Sequence, residues 1–534
     1  MPDYDLVIIG AGHNGLTCAA YCAMNGLRVK LVERRRVVGG AAVTEEFHPG
    51  FRNSVASYTV SLLNPQVIAD LRLHHHGLRI VERRAQNFLP APDGRYLLTG
   101  DGRTHQSVAR LSTRDAGRID AFGDELAGIA DVLRQFVLRA PPNLVEGFGV
   151  AAIRETLNAL GSAGILGGLS LEMKRVLLDL FTRSAGDVLD DWFESDLVKA
   201  LYGFDAIVGN YASPYAAGSA YVMLHHAFGE VNGRKGVWGH AIGGMGAISQ
   251  AIAAAARSHG AEIETDAAVR EVLVENGRAT GVALDSGETI RARYVAANVN
   301  PKLLYTRLMP ADALPTDFLR RMQRFRCGSG TFRMNVALSA LPSFKVLPGS
   351  GDHLTAGIII APGLAYMDRA YLDARAYGWS REPVVEMLIP STLDETLAPK
   401  NAHVASLFCQ HVAPELPDGT SWDEHREAVA DLMIATVDRH APGFARSVIA
   451  RQVLTPLDLE RDFGLIGGDI FHGALTLNQL FSARPMLGHA DYRGPLPGLY
   501  HCGAGAHPGG GVTGAPGYNA ARAILSDHRA LFAR

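Results

Sequence analysis

Apolar residues first gather at Leu6-Val7-Ile8-Ile9, a short run suited to a strand buried on both faces. The glycine-bearing stretch Gly10-Ala11-Gly12-His13-Asn14-Gly15 follows, then helical spacing over 16–24, a stop at Gly26 and a second strand over 28–32. The chain therefore opens βαβ. From Ser107 to Glu230 the pattern lengthens into alanine- and leucine-rich helical stretches, such as 118–138 and 171–185, broken by Pro141-Pro142. Gly243-Gly244-Met245-Gly246 then opens a helix of small residues over 247–259. Strand-like runs follow at 262–264, 269–275, 281–285 and 294–297, with Asn276-Gly277 and Ser286-Gly287 as turns. Residues 301–484 mix strand and helix signals with many prolines. The region 498–525 closes the chain as strand, glycine-rich turn and helix.

This order predicts an α/β protein whose two domains are each discontinuous. A Rossmann-type nucleotide domain is expected from 1–106, 236–300 and 485–534, and a mixed α+β substrate domain from 107–235 and 301–484. A chain of 534 residues is too long for one ordinary core. Formal net charge is −3, so no global field recruits nucleic acid. Five cysteines are odd in number and scattered, which argues against a disulfide framework and for a reducing, cytoplasmic setting. Cys18 and Cys22, one helical turn apart, read as core thiols. No Cys/His spacing suits a metal, and His74-His75-His76 reads as surface or packing histidines. No apolar run is long enough to span a bilayer, and no signal peptide precedes the first strand.

The chemistry lies in the glycine turns. Gly10 permits the tight turn, Gly12 lets a diphosphate approach the backbone, and Gly15 lets helix and strand pack closely. Glu33 stands at the end of the second strand, eighteen residues past Gly15, where a carboxylate accepts ribose hydroxyls. Gly39-Gly40 beyond it, and the terminal "GLYHCGAGAHPGGGVTG", point to FAD over NAD. A second glycine turn at a helix start can stabilise charge on a reduced flavin ring. Arg34-Arg35-Arg36 is either a solvated turn or a diphosphate contact.

These blocks, with the middle "GGMGAISQAIAAAARSHGAEIETDAAVREVLVENGRATGVAL", resemble the phytoene-desaturase-related FAD flavoproteins. Within them the nearest likeness is to the branch of β-carotene ketolases and pyridine nucleotide-disulfide oxidoreductase domain-containing proteins of the second type. "GDIFHGALTLNQLFSARP" resembles that second group in particular. The resemblance is collinear from end to end and loosest over 107–230. It implies that Gly10, Gly12, Gly15, Glu33, Gly39, Gly40 and Ala41 contact FAD from the N-terminal side. It places Val269 against the adenine through its backbone, and Gly503, Gly511, Val512 and Thr513 at the flavin end. It also implies a hydrophobic, polyene- or lipid-like substrate oxidised by hydride transfer to flavin, and leaves peripheral membrane contact and self-association open. With no second GxGxxG and no redox cysteine pair, oxygen or a quinone is the expected electron acceptor. His507, His225, His226 and Arg484 are the candidates for chemistry beyond the flavin. Two other readings stay open: a flavin amine oxidase, and a binding or scaffold protein that retains FAD without turnover.

Overall fold

The computed structural model describes residues 2–144, 150–310 and 312–532; Met1, 145–149, Ala311 and 533–534, which fall inside the segments assigned above, lie outside the described residues. The strands that organise the chain are β1 (Tyr4–Ile9), β2 (Val29–Val32), β3 (Asn87–Pro90), β4 (Tyr96–Leu98), β5 (Glu262–Glu264), β6 (Val269–Glu275), β7 (Arg278–Leu284), β8 (Thr289–Ala297), β9 (Phe332–Leu338), β10 (Gly357–Ile360), β11 (Trp379–Leu388), β12 (His403–Val412), β13 (Val448–Leu454) and β14 (Leu499–His501). The helices used below are α1 (His13–Met24), α2 (Ile119–Val137), α3 (Val150–Gly167), α4 (Leu171–Thr182), α5 (Asp196–Ile207), α6 (Ser219–His226), α7 (Gly246–Ser258) and α8 (Ala515–Phe532).

The first sheet has the order β5-β2-β1-β8-β7-β6, with β14 added beside β8. β1 runs parallel to both β2 and β8, β5 runs parallel to β2 and β14 to β8, so five strand ends open on one edge. β6, β7 and β8 form an antiparallel meander turned at Asn276-Gly277 and Ser286-Gly287, as the spacing predicts. Leu6 to Ile9 are buried on both faces because α1, α7 and α8 cover one side and the meander the other. Cys18 and Cys22 lie wholly inside that helical layer.

The second sheet, β13-β9-β12-β11-β10-β3-β4, is antiparallel except where β10 runs parallel to β3. β3 and β4 come from within residues 1–106, so this sheet draws chain from both sides of the 106/107 boundary expected from sequence. The turn after Gly39-Gly40 carries the chain out of the nucleotide sheet, and strand pairing, not local composition, then decides where 87–98 belong. Helices α2, α4, α5 and α6 pack over the second sheet around Phe122, Leu197, Phe204 and Phe408. α3 falls inside the helical region expected over 107–230, after the break at Pro141-Pro142. Among the described residues no helix is long and apolar enough to cross a membrane.

Candidate cofactor site

Gly10, with φ +93°, turns the chain out of β1 so that α1 begins at His13. A Cβ on Gly15 would stand 2.3 Å from the Gly10 carbonyl oxygen, so only glycine lets the helix sit this close to the turn. The second glycine pair braces the first: Gly39 donates its N–H to the Ala11 carbonyl (2.8 Å) and bridges to Gly12. Glu33, buried at the end of β2, accepts the Ala11 N–H at 2.8 Å and the Arg35 N–H at 2.9 Å. One carboxylate thus fixes both the glycine turn and the chain leaving β2.

These elements enclose a cavity of about 320 Å³ whose walls include Gly10, Gly12, Glu33, Gly40, Ala41 and Val269. Six residues named from the sequence are therefore brought to one place. Gly15 and Gly39 stand behind the wall as packing positions. The four residues assigned to the flavin end do not line this cavity. Gly503 packs on the Asn298 backbone, Gly511 faces Leu62 and His225, and Thr513 Oγ1 accepts the Ala515 N–H (3.1 Å) at the start of α8. Thr513 instead shares a smaller cavity of about 100 Å³ with His225 and Pro508. Arg34 and Arg35 both line the larger cavity; Arg35 is also paired with Glu45 at 2.8 Å and lies 4.6 Å over the Phe463 ring.

The donor set fits a dinucleotide. His13 Nε2, Asn14 Oδ1, Arg35 Nη1 and His472 Nδ1 are buried atoms of cavity-wall residues that meet no hydrogen-bond partner, although buried polar groups are normally satisfied. The N-terminus of α1 has no acidic residue in its first turn and no capping side chain, leaving its positive end to an external anion. Asn298, at the end of β8, donates to the Gly10 carbonyl at 3.3 Å. His13, Asn14 and Asn298 were not singled out from the sequence. Two of them are variable positions of the glycine motif, and the signal was only that both are polar.

The candidates for further chemistry fare differently. Arg484 is wholly buried and spent on the backbone. It donates to the carbonyls of Ala504 (2.8 Å), Phe471 (2.7 Å), Gln479 (3.2 Å) and Gly473 (3.3 Å), which leaves no room for a substrate carboxylate. It is a structural arginine. His226 Nδ1 meets the Val222 carbonyl at 2.9 Å and its ring stacks on Trp238, so it packs α6 and does not stand free to take a proton. His507 is buried, with Nε2 3.0 Å from the Phe136 carbonyl, and its ring lies against Phe481. Burial pushes it down to about 4. His225 lies between Phe228 and Phe471, and neither ring nitrogen completes a hydrogen bond, although the Gly510 backbone lies toward it. Burial, with lesser repulsion from His226 and Arg484, pushes it down to about 3.

Beside His507 a groove of about 800 Å³ runs between α2, α3 and α4. Leu133, Phe136, Leu166, Leu177 and Phe181 line it together with Phe481 and His507.

A parallel sheet with a glycine turn at a helix start, an acidic residue after the second strand and a large inserted domain defines a dinucleotide-dependent enzyme. The family model described as flavin containing amine oxidoreductase matches residues 15–332. The chain belongs to this family and is an FAD-dependent oxidoreductase. It is 40% identical to pyridine nucleotide-disulfide oxidoreductase domain-containing protein 2 of Rattus norvegicus over 548 residues, which cover 98% of this chain and 94% of that protein. The branch resembled by "GDIFHGALTLNQLFSARP" is thus matched from end to end. A limonene dehydrogenase subunit from Castellaniella defragrans is 26% identical over 543 residues, covering 98% of this chain and 94% of that protein. Among solved structures, an oxidoreductase from Methanosarcina mazei superposes with a TM-score of 0.60 at 16% identity, covering 98% of this chain and all of that one, a likeness of fold.

Proposed function

We propose that the protein oxidises a hydrophobic, polyene- or terpene-like substrate, with FAD held between the glycine turn of α1 and the turn preceding α8. The bound cofactor supplies the two-electron acceptor. On this reading Gly10, Gly12, Glu33, Gly40, Ala41 and Val269 hold the nucleotide end, and Gly503, Gly511, Val512 and Thr513 the flavin end. The groove carries the proposal: its walls are almost wholly aliphatic and aromatic, and His507 on its wall lies four residues from each of Gly503 and Gly511, the glycines assigned to the flavin end. A relative of similar length is named as part of a limonene dehydrogenase, which fits an apolar hydrocarbon substrate. The chain's own residues position a C–H bond and exclude water; Arg484 keeps the turn at 504 in place from beneath.

Ile153, Leu157 and Leu160 on α3 and Leu171 and Leu178 on α4 stand exposed, and Leu178 also lines the groove. The charged side chains of the groove lining, Arg139 and Lys174, are both cationic. That combination favours peripheral contact with an anionic lipid surface.

The test is anaerobic reduction of the FAD-loaded protein. Cyclic monoterpenes, linear polyenes and long-chain lipids are compared with short aliphatic diamines. Loss of the yellow absorbance with an apolar substrate supports the reading; reduction by amines alone replaces it with an amine oxidase. Binding to vesicles containing anionic phospholipid, lost in Leu157→Asp/Leu160→Asp, tests the surface separately.

A further inference from the structure

Two histidines far apart in the sequence meet at the nucleotide cavity. His13 is the first residue of α1, directly after Gly12, and its position follows from the glycine turn. His472 arrives from the other domain in the segment after Asp469, held in a left-handed backbone conformation (φ +57°). Asp469 shapes that segment by accepting the N–H groups of Gly328 and Phe471, both at 2.8 Å. Both imidazoles line the cavity, both residues are half-buried, and the nitrogens His13 Nε2 and His472 Nδ1 are themselves buried without a protein partner. They lie close enough that charge on His472 would repel charge on His13.

Two unsatisfied imidazoles at the positive end of a helix are poorly arranged for the protein alone. A group with negative charge between them accepts hydrogen bonds from both rings and offsets the repulsion they would have once protonated. Adenine and ribose are uncharged, and the flavin ring is neutral when oxidised. The diphosphate bridge is the anionic part of this cofactor. We infer that His13 and His472 are ligands of the cofactor's diphosphate and that they take up protons as it binds.

The electrostatic setting supports this. Without the anion, burial first and the neighbouring histidine second push His13 down to about 3, while burial and Arg484 push His472 down to about 4. Both are then neutral near pH 7. The other charged or titratable groups around them are Glu33, Arg34 and Arg35 at the end of β2, Asp285 between β7 and β8, Asp469 and Arg484 on the segment bearing His472, and His501 on β14. His501 is itself pushed down to about 3, by burial and then by His472. A dianion inserted here raises the two imidazoles that line the cavity. Affinity for the nucleotide therefore tightens as pH falls through the raised, bound-state values, and stops tightening between about 4 and about 3, where free His472 and then free His13 also protonate.

The experiment strips FAD from the holoprotein and measures its rebinding by calorimetry at pH 6.5, in two buffers of different ionisation enthalpy, which counts protons exchanged. Wild type is expected to take up more than one and at most about two protons per FAD, with affinity rising up to tenfold per pH unit for each coupled proton between pH 8 and 6. ADP-ribose, which has the same diphosphate diester without the flavin, is expected to drive the same uptake, and riboflavin, which has the ring without it, none. His13→Gln and His472→Asn, the latter suited to a left-handed backbone, should each remove about one proton. Zero uptake by wild type with FAD or ADP-ribose, or undiminished uptake in both variants, overturns the assignment. The wild-type measurement alone decides the case if a variant does not fold.

Discussion

The carbonyl oxygen of Gly10 and the α-carbon of Gly15 are packed so closely that a methyl group on Gly15 would lie 2.3 Å from that oxygen. Relief requires α1 to move away from β1, which opens the anion site at the helix start and breaks the contact of α1 with α7 and α8. Gly15→Ala is expected to lose FAD through gel filtration and to melt several degrees lower. Gly123→Ala, in α2 with nothing near the added methyl, should instead stabilise by about 0.5–1 kcal/mol. The pair separates a steric demand from a general effect of glycine replacement, read as the flavin-to-protein ratio and the melting temperature.

Arg484 offers a contrasting prediction. Its guanidinium is a buried cation held by four backbone carbonyls, so truncation leaves acceptors from three chain segments unpaired. Arg484→Met should cost about 3 kcal/mol or more. Arg484→Lys should recover only part of that loss, since one ammonium cannot span the same acceptors. The residual activity of folded protein should show lower kcat without a selective rise in KM. A large KM effect with an unchanged melting curve would restore a substrate-binding role for this residue.

The contrast explains how much of the site could be read from sequence. The two glycine turns were legible because close backbone approach dictates residue type locally: Gly10, Gly12 and Gly40 have few alternatives once the turn exists. Glu33 was legible because strand length fixes its distance from Gly15. The meander of β6 to β8 was legible through its turn residues. Nothing local reports that His472 comes to rest beside His13, or that Arg484 faces carbonyls and not a ligand, because both depend on how the second domain closes over the first. The placement of β3 and β4 in the second sheet was hidden for the same reason.

The groove makes a prediction about substrate length. Leu177 lines it one turn of α4 before Phe181, whose ring lies 5.8 Å from that of Phe481. Leu177→Trp fills space inside the groove while keeping the wall apolar. KM for a long polyene should rise about tenfold, the equivalent of about 1.4 kcal/mol, and that for a compact monoterpene should change less. Equal changes for both would place the substrate elsewhere.

Asp205 on α5 carries the pH dependence of stability. Burial, reinforced by the charge of Glu386, pushes its carboxyl up to about 8. In the unfolded chain the same carboxyl titrates near its ordinary value of about 4. Between those two pH values the unfolded chain has released the proton while the folded protein retains it, so stability falls as pH rises across that window. The contribution is intact below about 4 and fully lost above about 8. Asp205→Asn cannot ionise and should escape the loss, gaining on the order of 2 kcal/mol over wild type at pH 8, less than the whole shift would give because the residue is only partly buried. Denaturant melts at pH 5, 6.5 and 8 read the effect directly: the two proteins should diverge progressively with pH. Parallel curves would mean that Asp205 is ionised in the folded state throughout.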